Sequence, residues 1–540
     1  MGTMAQGRVA TLGPRVAAGH LELLLAAFER HGDRVAFVRG DRVTTYREAR
    51  AEVFRLARAL AGYGVGPGTG VALLAANTPG TLLTPLAVQL LGGYYSAIAP
   101  AGTLAERRRV LADTGATMLV FDPSTSARAA AELLAELPAG AVRRVLALGP
   151  SPLAEDLAAL AAAQSAEPLP PRGAAGDPAE LVYTSGSTGA PKAACFTFER
   201  VGALAAFWAA EATRDTAETA VFTAPDCRML YPGRYLRMSA PSVLPMLLNG
   251  GTSLLVDEFE PGELLRTMQR ESVTATMMTP TQLYRLLDHP ELSTVDLSRL
   301  RLLILHSAPA APARVAEAVA RLGPILLQSY GQTETKMISA LEPADHGAGR
   351  PELLRSAGRA RPDVEIEIRD EAGRVLGPGG IGEVCVRSPL LMAGYWRQPE
   401  LTARTVRDGW SHTQDVGYLD ADGYLYLLDR LRDMVIVDGS HCYTITVEDA
   451  LTSHPAVHRA AAVGLPDART GEAVHAAVVL RAGATVTAAE LRAAVRDKVG
   501  PLGEPRTVTF LADIPLTLAG KPDKTAVRAE LARRAHPISP

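Results

Sequence analysis

Leu181-Val182-Tyr183, an apolar run, leads directly into Thr184-Ser185-Gly186-Ser187-Thr188-Gly189-Ala190-Pro191-Lys192, and a reading of this chain begins there. Gly186 and Gly189 let backbone N–H groups turn inward without a Cβ in the way, while four hydroxyls and one ammonium add further donors. That density of donors after a buried strand reads as a phosphate cradle. The order Gly-x-x-Gly-x-x-Lys is not the Walker A order, and no Ser or Thr follows Lys192 to hold magnesium, so an ordinary P-loop NTPase is disfavoured. The same composition also suits a flexible linker.

Working outward, helical and strand patterns alternate. Leu21 to Arg30 is amphipathic, Val35 to Val38 is strand-like, Tyr46 to Tyr63 has helical spacing and Val71 to Leu74 reads as a buried strand. Met118 to Phe121, Val145 to Leu148, Leu254 to Val256, Ala275 to Met278 and Leu302 to Leu305 continue the strand series, which predicts an α/β chain with largely parallel sheets. After about Tyr418 the pattern changes to short strands and turns, with the turn signal Asp420-Ala421-Asp422-Gly423 followed by Leu425 to Leu428 and Met434 to Val437. The last hundred or so residues read as a small α+β unit, with strands at Ala460 to Val463 and Val474 to Leu480 and a helix at Ala488 to Val499.

Composition excludes several classes. The chain has 540 residues, 47% hydrophobic and 21% charged, with a formal net charge of −3, which fits a globular protein and gives no bias toward nucleic acid. Cys195, Cys227, Cys385 and Cys442 are scattered without a CxxC pair, so neither disulfides nor cysteine metal ligation is expected. Met1 to Gly19 lacks an apolar block of signal-peptide length, and the apolar region Val71 to Pro100 is broken by Asn77, Pro79, Gly80, Pro85, Gly92 and Gly93. A cytoplasmic protein without a membrane span is expected.

Two further constellations bear chemistry. Ser329-Tyr330-Gly331-Gln332-Thr333-Glu334-Thr335 follows the apolar Ile325-Leu326-Leu327 and would exit a buried strand, offering an aromatic face, hydroxyls and a carboxylate. Gly409-Trp410-Ser411-His412-Thr413-Gln414-Asp415 and then Asp429-Arg430-Leu431-Arg432-Asp433 offer an exposed Asp and a nearby Arg, suited to ribose hydroxyls or to a surface ion pair. Of 55 Lys plus Arg, only Lys192, Lys336, Lys498, Lys521 and Lys524 are lysine, so a lysine closing the phosphate loop and another in Leu518-Ala519-Gly520-Lys521 suggest a need for a compact ammonium.

In this order the constellations resemble the adenylate-forming superfamily of acyl- and aryl-CoA ligases, adenylation domains and luciferases. Tyr183 to Lys192 is similar to its phosphate loop, Ser329 to Glu334 to its Tyr-Gly-x-Thr-Glu motif, Trp410 to Asp415 to its Thr-Gly-Asp motif, and Pro515 to Lys521 to its C-terminal lysine segment. Gly382-Glu383-Val384 and Met392-Ala393-Gly394-Tyr395-Trp396 fall between them in the expected order, and the likeness spans roughly Leu21 to Glu530. The resemblance implies a large N-terminal domain of stacked α/β subdomains (1–431) and a small mobile C-terminal α+β domain (432–540). It implies ATP and Mg2+ as cofactors. Thr184, Ser185, Gly186, Ser187, Thr188, Gly189 and Lys192 would hold phosphates, and Glu334 the magnesium. Thr333 would meet the α-phosphate, Tyr330, Gly331 and Ser307-Ala308-Pro309 the adenine, and Asp415 and Arg430 the ribose. Lys521 would be the catalytic lysine between acid and α-phosphate, and Arg432 the hinge.

Departures bear on the second substrate. Ala193, Phe198 and Gln414 stand where the family usually has Gly, His and Gly, and Gly439 to Glu448 differs from the loop that helps line the thiol channel in CoA ligases. The wall segment Cys227 to Arg237 carries Arg228, Tyr231, Arg234, Tyr235 and Arg237, which suits a second anionic group on the substrate. The expectation is an AMP-forming ligase that activates a small polar or aromatic carboxylic acid and passes it to CoA or a carrier-protein pantetheine. The alternatives are a diazotase that adenylates nitrite for an aryl amine, and a non-catalytic nucleotide-binding relative.

Overall fold

Two large sheets stand back to back with helices between and outside them in the computed structural model, which describes residues 19–138, 140–184, 192–233, 242–347, 349–517 and 521–535. The nine-stranded sheet runs Arg359–Ala360, Lys336–Leu341, Leu326–Gln332, Leu302–Leu305, Ala275–Met278, Arg228–Tyr231, Thr252–Leu255, Val35–Arg39, Arg42–Thr45. Its six central strands, Leu326–Gln332 through Val35–Arg39, are parallel, as the alternation predicts. The eight-stranded sheet places Lys192–Thr197 and Pro178–Thr184 beside Tyr94–Ile98, Gly70–Leu74 and Met118–Phe121.

The largest core fills the space between these sheets. Phe37, Met229, Tyr231 and Ile304 of one sheet and Val71, Val120, Val182 and Phe196 of the other bury against helices that contribute Leu24, Phe28, Phe54, Leu86, Trp208 and Leu247. Separate apolar clusters cover the outer face of each sheet, which gives five alternating layers. The strands are short, β-branched or Leu-rich and buried on both faces, which is why they read as continuous apolar runs.

A third sheet, Glu365–Arg369, Gly382–Arg387, Trp410–Leu419 and Val406–Arg407, with Leu425–Arg430 paired to Trp410–Leu419, is antiparallel. A fourth begins at Val435–Val437 and includes Ser440–Cys442, Val457–Asp467, Gly471–Leu480 and Thr507–Phe510. The helix expected at Ala488 to Val499 is found over those residues, started by a Thr487/Glu490 capping box. The molecule is thus mixed α/β, with a large N-terminal part and a small C-terminal part. No helix among the described residues is long and apolar enough to cross a membrane.

Candidate active site

The parallel strands of the nine-stranded sheet end on one edge, and the site is built there. Leu302–Leu305 delivers His306 and Ser307 to that edge, and Ser307 is held at φ 78° with its hydroxyl 2.7 Å from His306 Nδ1. The neighbouring Leu326–Gln332 continues as a strand through Tyr330 and then turns back into Lys336–Leu341. Ser329 to Thr335 is therefore a hairpin rather than a strand-to-loop exit. Thr333, Glu334 and Thr335 form its turn, closed by Lys336 at φ 59°. Gly331 is required by a close approach, because a Cβ there would sit 2.1 Å from the Lys336 carbonyl oxygen.

Asp415 arrives from the antiparallel sheet. Cys385 pairs with His412 and Glu383 with Val416, so Val384 alone faces the three residues Thr413, Gln414 and Asp415. This bulge turns the Asp415 carboxylate inward. Asp415 is not exposed, as the sequence suggests, but only 5% accessible. Tyr330 donates to its Oδ2 at 2.6 Å and Gln332 at 2.8 Å, while Arg430 Nε lies 3.1 Å from Oδ1. Burial and the Asp415 charge hold the Tyr330 phenol well above its ordinary pKa, so it remains a donor. Thr413 completes the bulge by donating to the Val384 carbonyl at 2.7 Å and accepting the Asp415 N–H at 3.1 Å.

Glu334 lies on the side of Lys192. Its Oε1 accepts the Tyr395 hydroxyl at 2.7 Å, and Lys192 Nζ is 5.5 Å from the Tyr395 ring centroid. Tyr395 is positioned because Gly394–Tyr395 pairs with Lys192–Thr197. Thr184 and Lys192 pair directly as the hairpin strands that flank the loop. Ser185, Gly186, Ser187, Thr188 and Gly189 lie outside the described residues.

Lys521 closes the arrangement. It sits in a loop pinched by the bridge between Leu516 and Pro522, with its carbonyl accepting from Thr517 N at 2.8 Å. Burial and then the Arg430 charge depress its pKa, offset in part by Asp415 and Glu334. Its charge in turn acts on His306, whose pKa burial and Lys521 lower to about 4, leaving a neutral imidazole. Two cations, Lys521 and Arg430, thus share this cleft with a neutral imidazole and with the Asp415 and Glu334 carboxylates. Among the described residues the Lys521 ammonium makes no hydrogen bond or ion pair.

The comparisons decide the family. The description "AMP-binding enzyme" matches residues 24–396, and "AMP-binding enzyme C-terminal domain" matches 446–521. The chain belongs to the AMP-binding enzyme family. It is 36% identical over 531 residues to the medium/long-chain-fatty-acid–CoA ligase FadD8 of Mycobacterium tuberculosis, covering 95% of this chain and 89% of that one. It is 35% identical to a feruloyl-CoA synthase of Amycolatopsis, covering 87% and 91%. Among solved structures it resembles the amide bond synthetase McbA from Marinactinospora thermotolerans, with TM-score 0.85, 40% identity and coverage of 96% and 100%.

In this AMP-binding enzyme the wall segment is described as far as Gly233. Arg228 opens its strand at the opposite edge of the sheet, where its guanidinium takes the Glu271 carboxylate at 2.6 Å and the Glu271 carbonyl at 2.6 Å, so it does not enter the cleft. Its strand position dictates this, since the parallel strands bring only their C-terminal ends to the site. Tyr231 ends that strand, is 2% exposed and donates its hydroxyl to the Ser242 carbonyl at 3.1 Å. Arg234, Tyr235 and Arg237 lie outside the described residues. Gln414 adopts φ 61°. Phe198 is fully buried beside His20, their ring centroids 6.0 Å apart, and Ala193 is buried. Sequence reasoning singled out none of Gln332, Tyr395 or His306 as site residues. Tyr395 stood within a quoted motif, whereas a histidine preceding Ser307 gives no pattern of its own.

Proposed function

We propose that this enzyme joins a compact aromatic or polar carboxylic acid to AMP at the cost of ATP, releasing pyrophosphate, and then transfers the acyl group to the thiol of CoA or of a carrier protein. The observation that carries the reading is the convergence of Lys521, Arg430, Asp415 and Glu334 on one cleft. Asp415 and Arg430 take the ribose, Tyr330, Gly331 and Ser307 to Pro309 the adenine, and Thr333 the α-phosphate. Lys192 and the loop Thr184 to Gly189 take the outer phosphates. Glu334, with one carboxylate oxygen bonded to Tyr395, has its other oxygen to offer Mg2+, a hard cation that would neutralise phosphate charge there. Lys521 stabilises the charge that builds between the attacking carboxylate and the α-phosphorus, a role supported by its ammonium making no ion pair among the described residues. The neutral His306 on the same edge supports a substrate with a hydrogen-bonding group, as does likeness to a feruloyl-CoA synthase.

The division at 431/432 and the hinge at Arg432 rest on the chain leaving one sheet at Arg430 and entering the next at Val435. Arg432 is one-third exposed in the turn between them, 3.7 Å from Asp433. Arg432→Pro is expected to impair transfer more than ATP binding; equal, unaffected half-reactions count against the hinge.

A second reading is favoured by one observation. The chain is 40% identical to an amide bond synthetase over nearly all of both chains, so an amine is the alternative acceptor. An ATP–pyrophosphate exchange screen over aryl, polar and fatty acids, with nitrite included, followed by product mass with CoA or amines, tests both. Exchange with aryl or polar acids is expected. Exchange with none, or with octanoate as fast as with hydroxybenzoates, overturns the reading.

A further inference from the structure

The bulge that turns Asp415 into the cleft has a second consequence on the outer face of the same sheet. Glu383 and Cys385 alternate to that face, and His412 stands directly opposite Cys385. His412 Nδ1 is 3.6 Å from Cys385 Sγ and 2.7 Å from Glu383 Oε2, and the three donor atoms all lie within 4.8 Å of one another. Cys385 is fully buried, while the Glu383 and His412 side chains are 19% and 13% exposed.

We propose that Cys385, His412 and Glu383 form a binding site for a borderline-soft divalent cation of the zinc class. The spacing carries the proposal. Zinc bonds of about 2.3 Å to sulfur and about 2.0–2.1 Å to nitrogen, at a tetrahedral angle, set S and N about 3.6 Å apart. The observed S to N separation is 3.6 Å, without any movement of either strand. The carboxylate oxygen needs to withdraw by less than about 1 Å to reach the corresponding N to O separation, and Glu383 is the most accessible of the three. A three-ligand set leaves a fourth position for water. As the cation binds, the Cys385 Sγ–H proton leaves to solvent, the proton shared between His412 Nδ1 and Glu383 Oε2 is given up as the imidazole takes the tautomer protonated on Nε2, and Sγ–metal, Nδ1–metal and O–metal bonds form in their place.

The neighbours suit this. Glu367, across from Cys385, is occupied by Arg369 at 2.7 and 2.9 Å, so that guanidinium already has a carboxylate partner. The other Glu383 oxygen accepts Gln414 N–H at 3.0 Å, so the site abuts the residue before Asp415. A bound cation would clamp the two strands on either side of the bulge. A thiolate ligand also separates this site from Glu334, since Mg2+ prefers oxygen donors alone.

Cobalt(II) is the probe. Titrated into the reduced full chain, it is expected to give a sulfur-to-cobalt charge-transfer band that saturates at one equivalent, survives excess Mg2+ and is displaced by Zn2+. Cys385→Ser should remove the band, and Zn2+ should raise Tm in the natural protein but not in that variant. Glu383→Gln and His412→Gln should each need at least about tenfold more cobalt. These two variants carry the test if Cys385→Ser does not fold. No band at one equivalent, a band that persists in folded Cys385→Ser, or unchanged affinity in both glutamine variants would overturn the site.

Discussion

Lys521 and Lys524 are three residues apart, yet the protein treats the two charges in opposite ways. Lys524 starts the helix Lys524–Ala535 and is enclosed by acceptors: Glu448 Oε1 at 3.1 Å, Asp429 Oδ1 at 4.0 Å and the Thr444 hydroxyl. Burial alone would depress its pKa, but Glu448 and Asp429 outweigh it and the pKa is raised. Lys521 is also withdrawn from water, but its strong neighbour is Arg430, and its pKa falls. One ammonium is used to hold Asp429 of the antiparallel sheet to Thr444 and Glu448 of the C-terminal part. The other is held at a cost to stability, which is what a cation awaiting an anionic ligand looks like.

Removing each charge breaks the comparison most directly. Lys524→Met leaves Asp429 and Glu448 buried without their cation and is expected to cost about 3 kcal/mol or more of unfolding free energy. A denaturant midpoint equal to that of the natural protein would show that the enclosure contributes little. Lys521→Ala should slow ATP–pyrophosphate exchange by about a hundredfold, close to 3 kcal/mol of transition-state stabilisation, with no loss in the denaturant midpoint. Near-normal exchange, or a large drop in midpoint, would erase the distinction between the two lysines.

The pH response sharpens it further. Lys524, raised in the folded state, contributes stability that is complete below the ordinary lysine value of 10.5 and is lost as pH climbs through the raised one. Lys521, lowered in the folded state, has the opposite sign: its burden on stability lifts as pH rises through the lowered value. The charge proposed to assist adenylation disappears over that same window. The kcat/KM for exchange is therefore expected to fall on the alkaline side below the ordinary lysine range, and Lys521→Arg should move that limb outward, since a guanidinium stays protonated. An alkaline limb that does not move in Lys521→Arg would assign it to another group.

The smallest effect expected is at Gln414, whose left-handed backbone lies between the two faces of the bulge. Gln414→Gly removes about 1–2 kcal/mol of strain but adds about 0.5–1 kcal/mol of chain entropy to lose. A net change within about 1 kcal/mol by denaturant melt, with exchange retained, is the outcome. A loss beyond that would mean the Gln414 side chain is itself a partner of Asp415 or Lys521.

The sequence alone determined the layers and the order of the motifs. Apolar runs such as Leu302 to Leu305 need burial on both faces, and helical spacing such as Tyr46 to Tyr63 leaves one stripe to bury, so α/β stacking follows from local pattern. Residue types at Lys521, Asp415, Arg430 and Glu334 were legible because they stand in short local motifs whose order along the chain matches the family's. Direction and register were not legible. Whether Arg228 entered the cleft depended on which end of its strand it occupied and on Glu271, 43 residues away, taking its charge. Asp415 became buried because a bulge opposite Val384 turned it inward, and the same bulge set His412 against Cys385 and Glu383, 27 and 29 residues away. Such pairings are made by hydrogen-bond ladders between distant segments. No spacing rule along the chain encodes them, and only the folded sheets decide which side chains meet.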